Sequence, residues 1–280
     1  MKLSFEHFRR NKNFELRNIA IGLGSLLLVA CEIIPESEQR LPVEMGESNR
    51  TSLIVEFSGL NCNNCPKAAD EAHTLLEYHN GKLVVVEMHP PTNDLTYASK
   101  PEWDYTCPEA DEYYAAWSIS SLPSGVINMA RTNDSYNVAY QEWGTACMNA
   151  AKMLSPVTIT QQVQQDSTNA LQIEATIRNL SYDLLDLKYI AWLTEDSIIG
   201  PQRMPNSKIN PEYVHNHILR DAITDIWGHP ITIDAGDSTI VSLSYNLPEK
   251  VVPKNCNVVG VVLQNNEAIQ VNEYKLNIIQ

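Results

Sequence analysis

Two cysteines three residues apart, Cys62 and Cys65, with Asn63 and Asn64 between them, have the type and spacing to do chemistry. They follow the apolar run Ser52-Leu-Ile-Val-Glu-Phe57, which predicts a strand, and the turn Ser58-Gly-Leu-Asn61; from Cys65 and Pro66 onward the periodicity is helical. A thiol at the start of a helix meets free backbone N–H groups and the positive end of the dipole, which stabilise its thiolate. Cys62 is therefore the expected nucleophile, and Cys65, one turn in, the resolving thiol. Zinc competes for a CxxC pair, but a structural zinc site needs a second ligand pair, and the chain has no second CxxC and no HxxxH. No metal and no cofactor are expected.

The elements that must position this pair run on from it. A helix over 65 to 79 leads to Lys82-Leu-Val-Val-Val-Glu-Met88, an unbroken apolar run of the kind found in strands covered on both faces. A strand, helix, strand unit of this size is a right-handed crossover. An irregular polar stretch from His89 to Pro108 follows, then a helical segment near Glu109 to Trp117, and then Ser118 to Asn128, a loop leading into a strand. Tyr136–Gln141 and a helix from about Gly144 to Leu154 complete this part of the chain.

From Ser52 to Leu154 this order resembles the thioredoxin family. The resemblance implies a cis-proline lying against the CxxC, for which Pro123 is the candidate; the alternative is a trans proline that merely starts a strand. It also implies a buried acid six residues before the first cysteine. Glu56 stands there, either as that proton-moving group or as an exposed acid on an edge strand. Where thioredoxins have Trp-Cys-Gly-Pro-Cys, this chain has Asn61-Cys62-Asn63-Asn64-Cys65, with Pro66 after the second cysteine. Proline at a first helical position is well tolerated.

The N-terminus belongs to neither catalysis nor fold. Arg9, Arg10, Lys12 and Arg17 precede the apolar segment from Ile19 to Ala30, which is too short to span a bilayer comfortably and has the form of a signal-peptide core. It ends in Leu28-Val-Ala-Cys31 followed by Glu32, which resembles the lipobox of bacterial lipoproteins, whose cysteine is acylated and becomes the mature N-terminus. Residues 1–30 are thus expected to be a lipoprotein signal peptide, with Cys31 the lipidated residue; an uncleaved anchor with an incidental cysteine is the other reading. Cleavage removes five of 20 basic and two of 34 acidic residues, leaving 15 against 32 and a net charge of −17. So acidic a chain repels nucleic acid, and nucleic-acid partners are excluded. Residues 31–50, with two prolines and five glutamates, have the composition of an extended tether.

Past Pro156 the texture changes. Val157–Val163, Ala170–Ile177, Leu187–Leu193, Ser238–Tyr245 and Asn257–Leu263 alternate or run apolar, with turn residues between them. The expected fold is therefore an α/β thioredoxin-like domain over 51–155 followed by an all-β immunoglobulin-like sandwich over 156–280. His215 and His217 would share one face of a strand, which is metal-ligand spacing, but no third ligand is placed by the sequence, and a structural pair is the expectation. Among the remaining cysteines, Cys107 with Cys147 is the bridge expected in an oxidising compartment, leaving Cys256 alone.

The lipobox, the Cys62-Asn-Asn-Cys-Pro66 segment, Tyr213-Val-His-Asn-His-Ile-Leu-Arg220 with Trp227-Gly228, and the closing Val258–Gln264 together resemble the outer membrane protein 28 family of Bacteroidetes. That resemblance implies an outer-membrane lipoprotein, periplasmic or surface-facing. Two functions stay open. In one, Cys62 and Cys65 form a stable bridge and the protein binds an envelope protein or glycan partner. In the other it is a thiol-disulfide oxidoreductase in which Cys62 attacks, Cys65 resolves, Glu56 moves the proton and Pro123 presents the substrate backbone.

Overall fold

Strand β1 (Ser52–Phe57) runs parallel to β2 (Leu83–Met88), and helix α1 (Cys65–His79) connects them. Both strands are buried throughout, as their apolar composition requires. Helix α1 starts with Pro66 in its first turn and buries Cys65, Ala68, Ala72 and Leu75 along one face. It ends where Asn80 takes φ 43° and Gly81 φ 83°, so that the amide of Asn80 reaches the carbonyl of Leu76. The computed structural model describes residues 48–166 and 170–276. The expected signal peptide, Cys31 and nearly all of the tether lie outside the described residues.

Helix α2 (Pro108–Ala116) precedes β3 (Ser124–Ile127), which pairs antiparallel with β1, and α3 (Trp143–Ala150) follows. Tyr136–Gln141 contributes only a bridge between Val138 and Gly125, because the chain turns into a 3-10 helix at Tyr140. Gly125 is required by packing: a Cβ there would stand 2.2 Å from Nε1 of Trp143, whose indole donates to the carbonyl of Val138 at 3.0 Å.

The remaining strands are β4 (Val157–Gln165), β5 (Ala170–Asn179), β6 (Leu185–Glu195), β7 (Ile198–Arg203), β8 (Ile209–His215), β9 (Ile218–Ala222), β10 (His229–Ile233), β11 (Ser238–Asn246), β12 (Cys256–Gln264) and β13 (Glu267–Lys275). One sheet runs β13-β12-β6-β9-β2-β1-β3, with β10 also on β6. Residues 51–155 and 156–280, treated as two domains in the sequence, are thus joined through the parallel pairing of Glu87 in β2 with Ile218 in β9. Strands β11-β5-β4 form a second sheet, and β7-β8 a separate hairpin.

Alternation along the strands decides the layers. Leu53, Val55 and Phe57 meet Tyr113 and Trp117, together with Ile190 and Trp192 of β6, in one core. Ile54, on the other face of β1, meets Ala68, Leu75, Trp143 and Cys147. Leu187, Tyr189 and Ala191 of β6 pack face to face with Val157, Ala175 and Ile177 of the three-stranded sheet. The fold is mostly β.

The expected Cys107–Cys147 bridge is not formed. Both are free and buried, Cys107 in the core on the Phe57 face of β1 and Cys147 in the core on the Ile54 face, so the sheet itself separates them. Burial pushes both thiols up to about 12, which leaves them inert as nucleophiles.

Candidate functional site

Cys62 and Cys65 are joined in a disulfide, with their Cα atoms 5.5 Å apart. The amide of Cys65, at the start of α1, donates to Sγ of Cys62 at 3.1 Å, the contact expected of a sulfur placed at a helix N-terminus. Both cysteines are only 2% exposed, although Asn64 between them is open to solvent.

Two segments enclose this loop. From one side, the carbonyl of Leu95 accepts the amide of Asn61 at 2.8 Å, and the carbonyl of Tyr97 accepts its side chain at 2.8 Å. Gly59 is needed for that approach, since a Cβ would lie 2.7 Å from the oxygen of Leu95. From the other side comes the β7–β8 hairpin. The amide of Arg203 donates to the carbonyl of Leu60 at 2.8 Å. The buried side-chain nitrogen of Gln202 lies 3.1 Å from the carbonyl of Cys62 and 3.2 Å from that of Gly59. Asn63 donates to Oγ of Ser207 at 3.1 Å.

The peptide bond before Pro123 is cis. Ser124, the next residue, pairs with Phe57 at the end of β1, so Pro123 stands at the same end of the sheet as the cysteine loop.

Glu56 is 1% exposed and neighbours Glu87 in the β1–β2 register, on the face covered by α1. Its Oε1 has no hydrogen-bond partner among the described residues, and burial, reinforced by the charge of Glu87, holds its carboxyl well above the usual range. Burial pushes Glu87 the same way. There, however, the 2.8 Å bond to Nε2 of His89 and the neighbouring histidines outweigh it, and the carboxyl ends below its ordinary value. Two adjacent carboxyls are thereby driven apart, Glu56 toward the neutral acid and Glu87 toward the carboxylate.

A cleft of about 360 Å³ opens between α1 and the end of β8, lined by Glu56, Glu87, Tyr213, His215 and His217. The two histidines do not share a strand face: β8 ends at His215, and His217 takes φ 60° before β9 begins. The turn nevertheless brings both to the cleft. Among the described residues, no group of three or more His, Cys, Asp or Glu side chains is arranged to hold a metal ion.

Burial lowers His215 to about 4 against 6.5, only partly opposed by the charge of Glu87. For a base, a depressed value in the fold means that the unfolded chain binds the extra proton. This group's contribution to stability is therefore complete above pH 6.5 and lost as the pH falls from 6.5 to about 4. Denaturant titrations at pH 7 and pH 4.5 should show His215→Gln losing roughly 2–3 kcal/mol less than the parent between these values. Equal losses would remove His215 from the acid response.

The sequence singled out Cys62, Cys65, Glu56 and Pro123 but not Gln202, Ser207, Glu87 and His89, which the structure places around them. Glu87 had a legible signal, a lone acid inside an apolar strand, the same mark that singled out Glu56. Gln202 and Ser207 had none, because they reach the site across some 140 residues of chain.

The model of the family "Outer membrane protein Omp28" matches residues 110–280. Among solved structures, HBP35 of Porphyromonas gingivalis is similar with a TM-score of 0.64 at 14% identity, over 83% of this chain and 77% of that one. A protein of Agrobacterium tumefaciens gives a TM-score of 0.50 at 15% identity, over 84% of this chain and 98% of that one. A domain of the outer membrane lipoprotein Omp28 from Porphyromonas gingivalis is 19% identical over 45% of this chain and 91% of its own length, with a TM-score of 0.32. No curated protein matches the chain.

Proposed function

Because the chain belongs to the outer membrane protein Omp28 family, we propose that it is an outer-membrane lipoprotein of Bacteroidetes type, anchored through lipid on Cys31, that works as a binding or structural protein of the envelope. In this reading residues 51–155 are a thioredoxin-like scaffold and residues 156–280 an immunoglobulin-like partner to it, and the ligand is an envelope protein or glycan. The observation that carries the choice of binding over catalysis is the 2% exposure of both disulfide cysteines. A dithiol exchange enzyme must present its first sulfur to a protein substrate, whereas a crosslink that only stabilises the loop has no such need.

The reduction potential of the Cys62/Cys65 couple tests the reading. Structural disulfides lie below about −300 mV and thioredoxin-like oxidoreductases between about −270 and −120 mV. A value below −300 mV is expected. A value in the upper range would make the protein a thiol-disulfide oxidoreductase, a second reading that the buried Glu56 behind α1, its carboxyl held well above the usual range, favours.

Anchoring has its own check. Two or three acyl chains on one residue give stable membrane attachment. The parent chain should therefore take up labelled palmitate and sediment with outer membranes, and Cys31→Ser should do neither. Palmitate uptake by the variant would exclude Cys31 as the lipidated residue.

A further inference from the structure

The disulfide is enclosed by a segment built differently from the rest of the molecule. Among the described residues, strands β7 and β8 pair only with each other, outside both larger sheets. The base of this hairpin is fixed: Ile198 packs on Leu60, Tyr105 and Ile218, His215 is buried, and Gly200 lies so close to Tyr105 that a Cβ would stand 2.1 Å from its hydroxyl. Its outer side is open, with Ile199, Ile209 and Val214 all exposed. Between base and tip the register breaks, at the step from Gly200 to Gln202 across Pro201. There Pro211 and Glu212 of β8 stand opposite the single Pro201, a bulge that interrupts the ladder, so the part beyond it can bend away while the base stays docked. That part carries the contacts to the cysteine loop: Gln202 to Cys62 and Gly59, Arg203 to Leu60, and Ser207 to Asn63.

We propose that the tip of the β7–β8 hairpin is a built-in cover of the Cys62–Cys65 disulfide, latched by Gln202, and that thiol exchange at this disulfide waits on its lifting about the Pro201 bulge. Of the tip residues 202–208 only Gln202 is buried, which places the tip's opening among the low-cost local fluctuations of the fold. With the cover raised, a dithiol reductant reacts in two steps. Its thiolate bonds to Sγ of Cys62 as the sulfur–sulfur bond breaks, and Cys65 leaves as a thiolate that takes up a proton. The second thiol of the reductant, as thiolate, then bonds to the first and displaces Cys62, which is protonated in turn. The reductant departs as a disulfide, and the protein has gained two electrons and two protons.

The test is a rate, distinct from the equilibrium potential that decides the functional reading. The full chain is exposed to dithiothreitol at fixed pH, and newly freed Cys62 and Cys65 are trapped by alkylation and counted by mass spectrometry. Cys107, Cys147 and Cys256, all buried and free, report global unfolding in the same sample. Gln202→Ala should speed reduction roughly tenfold with those three thiols still protected. Ser207→Gly removes the hydroxyl but suits the φ of 63° at that position, and should speed it about two- to fivefold. An unchanged rate in Gln202→Ala overturns the proposal, as does acceleration matched by alkylation of Cys107 and Cys147. If Gln202→Ala does not fold, Ser207→Gly decides: faster reduction in the folded protein supports the cover, and an unchanged rate removes it.

Discussion

His89→Ala should lower the unfolding free energy by roughly 3–5 kcal/mol at neutral pH, read from urea denaturation. His89 is 1% exposed and Glu87 7%, and Nε2 of the histidine meets Oε1 of the glutamate at 2.8 Å. The contact itself adds little net stability, since taking its partners out of water costs about what it returns. What makes the single substitution expensive is the carboxylate left behind with an apolar strand around it and Glu56 beside it in the register. A double change to two apolar side chains of similar volume, Glu87→Leu with His89→Leu, should recover most of the loss. The deficit of His89→Ala should also shrink on acidification, because Glu87 can then take up a proton and stop being a buried charge. A variant within 1 kcal/mol of the parent would mean that Glu87 is solvated through the cleft, contrary to this account.

The same pair shows what could be read from the chain alone and what could not. The β1-α1-β2 unit was legible because apolar periodicity and Pro66 at a helix start are local signals. So were β4, β5, β6, β11 and β12, whose alternation or apolar runs span seven residues or more. β7, β8 and β9 were not, since Ile209–His215 is largely exposed and carries Pro211 within it, and no period marks it as a strand. The histidines were visible as a pair, but the positive φ at His217 that turns the second one is a long-range outcome of the β8-to-β9 connection. The pairing of β2 with β9 had no signature at all: nothing in Leu83–Met88 says that its second neighbour comes from residue 218. The misplaced Cys107–Cys147 bridge failed for the related reason that sequence separation carries no information about which face of a sheet a residue occupies.

That shared sheet has a large mechanical consequence, which Trp192→Ala should expose. Trp192 lies on β6, inside the part of the chain that follows residue 156, and is fully buried. Its ring meets Tyr113 of α2 edge-on at 5.7 Å, and Tyr113 in turn stacks on Trp117 at 4.8 Å, beneath Phe57 of β1. Truncating such a ring removes its transfer free energy and leaves a cavity that a sheet buried on both faces cannot collapse, for a cost of about 3–5 kcal/mol. Were the two parts independent, the loss would stay with the β-rich half. With one core it must reach the disulfide-bearing half as well, and the two should unfold in a single transition. Alkylation across a urea series gives the readout, because Cys147 lies on the buried face of α3 and Cys256 at the start of β12, in separate cores. Both thiols should become reactive at the same urea concentration in the parent, and at the same lower concentration in the variant. A variant in which Cys256 opens early while Cys147 keeps the parent midpoint would separate the halves. In that case the sheet pairing at Glu87 and Ile218 would be a contact between two folding units rather than part of one.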